Sequence, residues 1–437
     1  MREHLTKDTT QSRPPDHVWR DHSRAGRGRG GSQRIQGHSA CLCVLCACVL
    51  FLLTPACDVI LTEAPPEGET FDAPLPGLTS TQLASFARGD EAFEKGFSVQ
   101  EGLGPLFNQP SCESCHPGDG RGSPRTSLIR FGRWDGVSFD PLLNLGGPQL
   151  QERSIPGVSP EALPAEATAV SVRVGPPVFG LGLIEAIPDS AVLVNADEND
   201  SDGDGISGRP NWVTTPEYVG KGPGPHLGRF GRKAGVAFIL HQVVNAYQQD
   251  IGITSDYLPV ENGHPQAGVP VRDDVPDPEL PASVIDDVVF YLQTLAPPAR
   301  GLETPEVLQG KAVFATIGCA SCHVPTFQTG THPIQALSNK EVQLYSDLLL
   351  HDMGPELADG FYEGVATGTE WRTAPLWGLR LVREFLGGTP AYLHDGRTSD
   401  LREAIRAHGG EAQSARDAFL QLSSQDADAL IRFLESL

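Results

Sequence analysis

Beyond the first 57 residues of this 437-residue chain, no cysteine is left over for a structural disulfide. Cys41, Cys43, Cys46 and Cys48 fall in one apolar run, and Cys57 follows it. The other four of the nine cysteines make two Cys-x-x-Cys pairs, each followed by His. Cross-linking is excluded there, so these thiols have another use. Methionine is scarcer still: after Met1 there is only Met353. Basic residues are few, 33 Lys and Arg against 55 Asp and Glu, for a net charge of −22. That field repels nucleic acid and anionic lipid headgroups and favours basic partners. The apolar run, residues 40–53, is fourteen residues without a charge, short of the roughly 20 that a membrane-spanning helix needs.

The flanks of that run suggest its role. Residues 1–40 hold eight Lys and Arg against four Asp and Glu, so the tail is +4 and the remainder −26. A basic tail, an apolar stretch and then Thr54-Pro55-Ala56-Cys57 predict an export segment over residues 1–57. The small residue before Cys57 resembles a bacterial lipoprotein cleavage site, which would lipidate Cys57. Ordinary cleavage near Ala56 and an uncleaved anchor are the alternatives. The expected location is the periplasm, with the protein held at a membrane as a lipoprotein. Residues 58–79 read as a linker.

Cys112-Glu113-Ser114-Cys115-His116 and Cys319-Ala320-Ser321-Cys322-His323 match the attachment signal for c-type haem. Two thiols one helical turn apart can add to the porphyrin vinyl groups, and the next residue, His, turns its imidazole to the iron. A zinc knuckle would need two further ligands at short range, and neither pair has them. Cofactors expected are therefore two covalent haems. The flanks repeat as well. Phe107 lies five residues before Cys112, and Phe314 five before Cys319, so each stretch reads as a first helix presenting an aromatic to a core. Residues 288–295 align with 430–437 as closing helices: Val289, Leu292 and Leu295 match Ile431, Leu434 and Leu437 at helical spacing. The predicted fold is mainly α: two cytochrome c-like domains, residues 80–297 and 298–437, divided at Pro297-Pro298. Abundant Gly (48) and Pro (37) predict a long loop-rich insertion in the first.

Sixth ligands decide whether such a haem carries electrons or does chemistry. Candidates for the second haem are His332, His351, Met353, His394 and His408; for the first, His226, His241 and His264. Asp200, Asp202 and Asp204 alternate with Gly203 and Gly205 in the pattern of a calcium loop, with Asn211 where the twelfth-position Glu would stand. Glu185, a lone carboxylate in the apolar run 176–187, is a candidate proton shuttle for peroxide chemistry, with Glu152 its rival.

Three stretches resemble the bacterial di-haem cytochrome c peroxidases and the related di-haem ("thiol") oxidoreductases. They are Trp371-Arg372-Thr373-Ala374-Pro375-Leu376-Trp377, Tyr392-Leu393-His394-Asp395-Gly396 and Leu401-Arg402-Glu403-Ala404-Ile405. Residues 345–354, 228–234 and 250–254 are also similar to the oxidoreductases. The resemblance implies that His408 stands where the peroxidases place a Met ligand, so His323 and His408 would ligate the second iron, with Met353 the alternative. It implies that Trp134, in Phe131-Gly132-Arg133-Trp134-Asp135-Gly136, lies between the haems. It implies a calcium ion between domains, and propionate contacts from Arg229, Arg232 and Lys233. The expected function is electron transfer from a redox partner protein, a small basic cytochrome or cupredoxin, through the C-terminal haem to the N-terminal one. There peroxide or another small oxidant is reduced. The alternative is a non-catalytic di-haem electron carrier serving a respiratory or metal-uptake partner.

Overall fold

A computed structural model of the chain describes residues 70–437. The export segment with Cys57, and most of the linker, lie outside the described residues. The described residues form one compact unit. It is helical, with small antiparallel sheets. Among the described residues no helix is long and apolar enough to cross a membrane.

Two helix pairs organise it. Helix α1 (Ser80–Glu94) starts at a capping box, with Thr79 accepting from the Gln82 amide and Gln82 from that of Thr79. Helix α2 (Ile239–Ala246) runs into a π-helical turn, Tyr247–Ile251. Helix α3 (Ala282–Thr294) buries Ile285, Val288, Tyr291 and Leu292, and packs on α1. Helix α4 (Pro305–Thr316) packs in the same way on α5 (Ser424–Leu434). Each crossing depends on a glycine. A Cβ at Gly89 would lie 2.1 Å from the Asp287 carbonyl oxygen, and one at Gly310 2.0 Å from that of Ala429. Either substitution would push the helices apart.

The aromatic expected from the first flank differs. Phe93 of α1, not Phe107, is the counterpart of Phe314. Phe93 packs 6.3 Å from the His116 ring, as Phe314 does from His323. Phe107 lies in a two-residue strand, Leu106–Phe107, which pairs antiparallel with Arg153–Ser154. The shared sequence is Gly-x-x-x-Phe, at Gly89–Phe93 and Gly310–Phe314.

Strands β1 (Leu128–Trp134), β2 (Phe139–Asp140) and β3 (Ala169–Arg173) form a three-stranded sheet in the order β2-β1-β3. Strands β4 (Leu350–Asp352) and β5 (Glu370–Arg372) pair antiparallel. The larger core holds Phe86, Phe93, Val244 and Tyr291, and also Leu344, Leu348, Leu349 and Trp377 from beyond Pro298. The smaller gathers Val307, Phe314, Tyr345, Phe419, Leu430 and Phe433.

Candidate haem centres

Both Cys-x-x-Cys-His segments are single turns. Ser111 caps the first by accepting from the Ser114 amide, and the His116 amide donates to the Cys112 carbonyl at 3.0 Å. The His323 amide donates to the Cys319 carbonyl at the same distance. Within each turn the two thiols are therefore one helical turn apart. Burial pushes the thiols of Cys112, Cys115 and Cys319 up to about 12, so they are neutral and poor as exchange nucleophiles.

The two histidines are prepared alike. His323 Nδ1 lies 2.9 Å from the Tyr345 carbonyl oxygen, and His116 Nδ1 3.4 Å from that of Gly120. A ring that donates through Nδ1 keeps the Nε2 lone pair for a metal. Burial holds both rings neutral, with pKa values of about 4. A Cβ at Gly175 would sit 2.8 Å from Cε1 of His116, so only glycine leaves that face of the ring clear.

Beside His116 is a cavity of about 350 Å³. Arg121, Arg130, Arg173, Arg232 and Arg372 line it. Buried Nε atoms of Arg121 and Arg130 and a terminal nitrogen of Arg173 have no hydrogen-bond partner. Burial pulls the Arg121 and Arg372 guanidinium groups down to about 10. Buried guanidinium nitrogens without a hydrogen-bond acceptor call for an anion, and the two carboxylates of a haem would suit these donors. The residues present fit the group.

Two carboxyl groups share this wall. Asp250, on the π-turn, accepts from Gln149 Nε2 at 2.5 Å, and burial raises its pKa to about 6. Glu363 pairs with Arg173 at 2.6 Å. Burial pushes the Glu363 carboxyl up, but Arg173 and Arg130 outweigh it and hold it at about 2. Its pKa is depressed, so the stabilisation is complete above about pH 4.5 and is lost as the pH falls toward 2. Glu363→Gln is expected to cost roughly 3 kcal/mol at pH 7 by stranding a buried Arg173. Urea unfolding at pH 7 and pH 3 checks this: the gap between variant and parent should narrow in acid.

The candidate residues separate clearly. Glu185 does not line the cavity. Its Oε1 accepts from the Ile239 amide at 2.9 Å, capping α2, and its Oε2 from Gln293 at 2.8 Å. Its carboxylate is engaged in holding α2 against α3. Trp134 stacks on Tyr362 with centroids 4.4 Å apart and does not line the cavity either. The tryptophan that does is Trp377, followed by Gly378 and Leu379. Leu376, next to it, packs on the Phe314–Tyr345–Phe433 core, and its amide donates to Leu344, so this segment spans the ground between the two turns. Glu152 does not line the cavity.

Of His226, His241 and His264, only His241 lines the cavity, with a buried Nδ1 that has no partner. His264 is held by the Ser159 carbonyl. Arg229 bonds the Ile184 carbonyl and Asp189, and both Arg232 contacts go to the Val174 carbonyl. Lys233 is fully buried against Asp359 at 2.9 Å. On the second side, His351 has both ring nitrogens on carboxylates, and His394 stacks on Trp371 at 3.8 Å. The His332 Nδ1 accepts from the Ile334 amide. His408 donates Nδ1–H to the Ala404 carbonyl at 2.7 Å, which frees its Nε2. It is near enough to His323 that charge on one disfavours charge on the other. The Met353 carbonyl lies beside Gly409, next to His408 in sequence. Carboxylate oxygens of Asp200, Asp202 and Asp204 lie within 4.8 Å of one another, in a loop whose Gly203 and Gly205 take positive φ.

Two histidines prepared for metal, each after a pair of half-buried thiols, with a cationic cavity beside one, define a di-haem redox protein. The chain belongs to the di-haem oxidoreductase family: residues 59–131 and 160–437 match the family described as "Di-haem oxidoreductase, putative peroxidase". Two solved structures are similar at 14% identity. One is a MauG-like protein associated with microbial copper homeostasis, covering 86% of this chain and 94% of that one with a TM-score of 0.36. The other is the hydrazine synthase of Kuenenia stuttgartiensis, covering 86% and 98% with a TM-score of 0.33. Scores this low carry no argument about function. No curated protein matches the sequence.

Proposed function

We propose that this chain is an exported di-haem c-type cytochrome oxidoreductase that reduces peroxide, or another small oxidant, in the cavity beside His116. The observation that carries the reading is the asymmetry of the two centres. His323 has a second imidazole, His408, close by, whereas His116 opens on an arginine-lined cavity. When bound, the haems supply the redox chemistry, the one at His323 as electron carrier and the one at His116 as the site of reduction.

The chain's own residues have distinct tasks. Cys112 and Cys115, and Cys319 and Cys322, attach the two groups. His116 would hold the first iron; His323 would hold the second together with His408, with Met353 the alternative to His408. Arg121, Arg130 and Arg173 neutralise the haem carboxylates. Asp250 replaces Glu185 as the carboxyl group for proton transfer. It faces the cavity, and burial holds its pKa at about 6, where it exchanges protons near neutral pH. Trp377 replaces Trp134 as the aromatic between the centres. Two cytochrome c-like domains, one on each helix pair, describe the architecture. The electron donor is a redox partner protein of basic surface, a small cytochrome or cupredoxin, matched to the net charge of −22. The location is the periplasm, with lipidated Cys57 as the anchor. Asp200, Asp202 and Asp204 hold Ca²⁺.

A second reading, a non-catalytic electron carrier, is favoured by one feature: His241, neutral and unpartnered at Nδ1, lines the same cavity and could close the first iron. Stopped-flow mixing of the pre-reduced holoprotein with hydrogen peroxide separates the two. Reoxidation within milliseconds, with stoichiometric loss of peroxide, is expected. Haems that stay reduced would contradict the peroxidase reading and leave the carrier.

A further inference from the structure

Next to the second attachment turn lies a group of buried charges for which ligation has no use. His351 of β4 is 3% exposed. Its Nε2 lies 2.7 Å from Asp347 Oδ2 and its Nδ1 2.7 Å from Glu411 Oε2. A neutral imidazole has one N–H and would leave a lone pair facing one of these carboxylates. Two contacts of this length therefore require the imidazolium, with both nitrogens donating.

The group is tied to the attachment turn at three points. The Cys322 sulfur is 3.6 Å from His351 Nδ1. The Asp347 amide donates to the Cys322 carbonyl at 2.9 Å. Tyr345, two residues before Asp347, supplies the carbonyl that holds His323 Nδ1. Glu411 is anchored from the other side by the Ser207 amide and hydroxyl and by the Asp352 amide. Asp347 in turn raises the pKa of Arg372, which lines the His116 cavity. One positive and two negative charges are thus fixed in a dry site against the sulfur that would carry the haem.

We infer that His351, clamped between Asp347 and Glu411, is a positioning residue that sets the reduction potential of the haem carried by Cys319, Cys322 and His323. The inference rests on the proposed attachment there. A net negative charge beside a haem favours the oxidised iron and lowers its potential. The clamp fixes this charge because neither carboxylate can turn to water, and the imidazolium keeps their repulsion from opening the site.

Glu411→Gln keeps the shape and an acceptor for His351 but removes one negative charge. His351→Gln removes the positive one. Redox titration of both holoproteins, read optically, tests the inference. The second haem is assigned with the Cys112→Ser/Cys115→Ser chain, which should carry it alone. Glu411→Gln should raise its potential by at least the 59 mV of a tenfold change in a one-electron equilibrium. His351→Gln should not raise it. A role in folding alone would move both variants the same way. No rise in Glu411→Gln, or a rise in both, with haem present on Cys319 and Cys322, would overturn the inference and leave the attachment standing. Absence of that haem in the parent would overturn both.

Discussion

Replacing Cys112 and Cys115 with serine is expected to yield a chain with one covalent haem in place of two. The variant should also be markedly less stable. The first effect follows from attachment: thioether bonds need both sulfurs, and among the described residues no other cysteine is near. The second follows from the cavity. Arg121, Arg130 and Arg173 bury nitrogens that no protein acceptor satisfies. Arg173 keeps Glu363 and Asp359 beside it, but Arg121 and Arg130 make no ion pair among the described residues, and unpaired buried charge costs roughly 3–5 kcal/mol. Glu363 pairs with Arg173 but not with Arg121, so the loss is not absorbed locally. Mass spectrometry under denaturing conditions counts the covalent groups, and thermal unfolding reads the stability. Replacing Cys319 and Cys322 should also remove one haem, with a smaller loss of stability, since no such arginine cluster lies there. Two haems in either variant would contradict the attachment.

His408→Ala is expected to change the second centre from low-spin to high-spin, and His408→Met to keep it low-spin at a higher potential. His408 donates Nδ1–H to Ala404 and so has only Nε2 to offer, as a ligand should. Thioether is the weaker donor and stabilises reduced iron. His351 cannot substitute, because both its nitrogens are held by carboxylates. Absorption and EPR spectra of the two variants check this. Spectra identical to the parent would remove His408 from the centre and turn attention to Met353, whose carbonyl lies beside Gly409.

The residues attached to short, local rules were legible in the sequence. Cys-x-x-Cys-His is such a pattern, since its two thiols and its imidazole fall within one turn. The closing helices 282–294 and 424–434 were visible as 3.6-residue periodicity. What was not legible depends on the partner across a contact. Phe107 matched Phe314 in distance from the first cysteine. Yet the structure inserts a strand before the first turn and moves the helix back, so Phe93 takes that place. The glycine four residues earlier, Gly89 or Gly310, was the readable signal, since only glycine lets two helices approach so closely. Glu185 stands alone in an apolar run, and the sequence does not show that its two oxygens cap α2 and hold Gln293. Trp134 and Trp377 are both followed by glycine or by an aspartate–glycine turn, and nothing local shows which one faces the cavity. Arg121, Arg130 and Arg173 converge from separate segments, as do Asp347, His351 and Glu411, and sequence spacing cannot bring such sets together.

The most direct test of the central claim, that one centre is closed by two imidazoles and the other opens on a cavity, is EPR spectroscopy of the purified holoprotein poised with one electron per chain and then given hydrogen peroxide. A high-spin ferric signal from the haem at His116 is expected while the second haem, holding the electron, is EPR-silent; peroxide should abolish the high-spin signal and bring up a low-spin ferric signal from the second haem. No high-spin signal at any stage, and no change with peroxide, would contradict the claim.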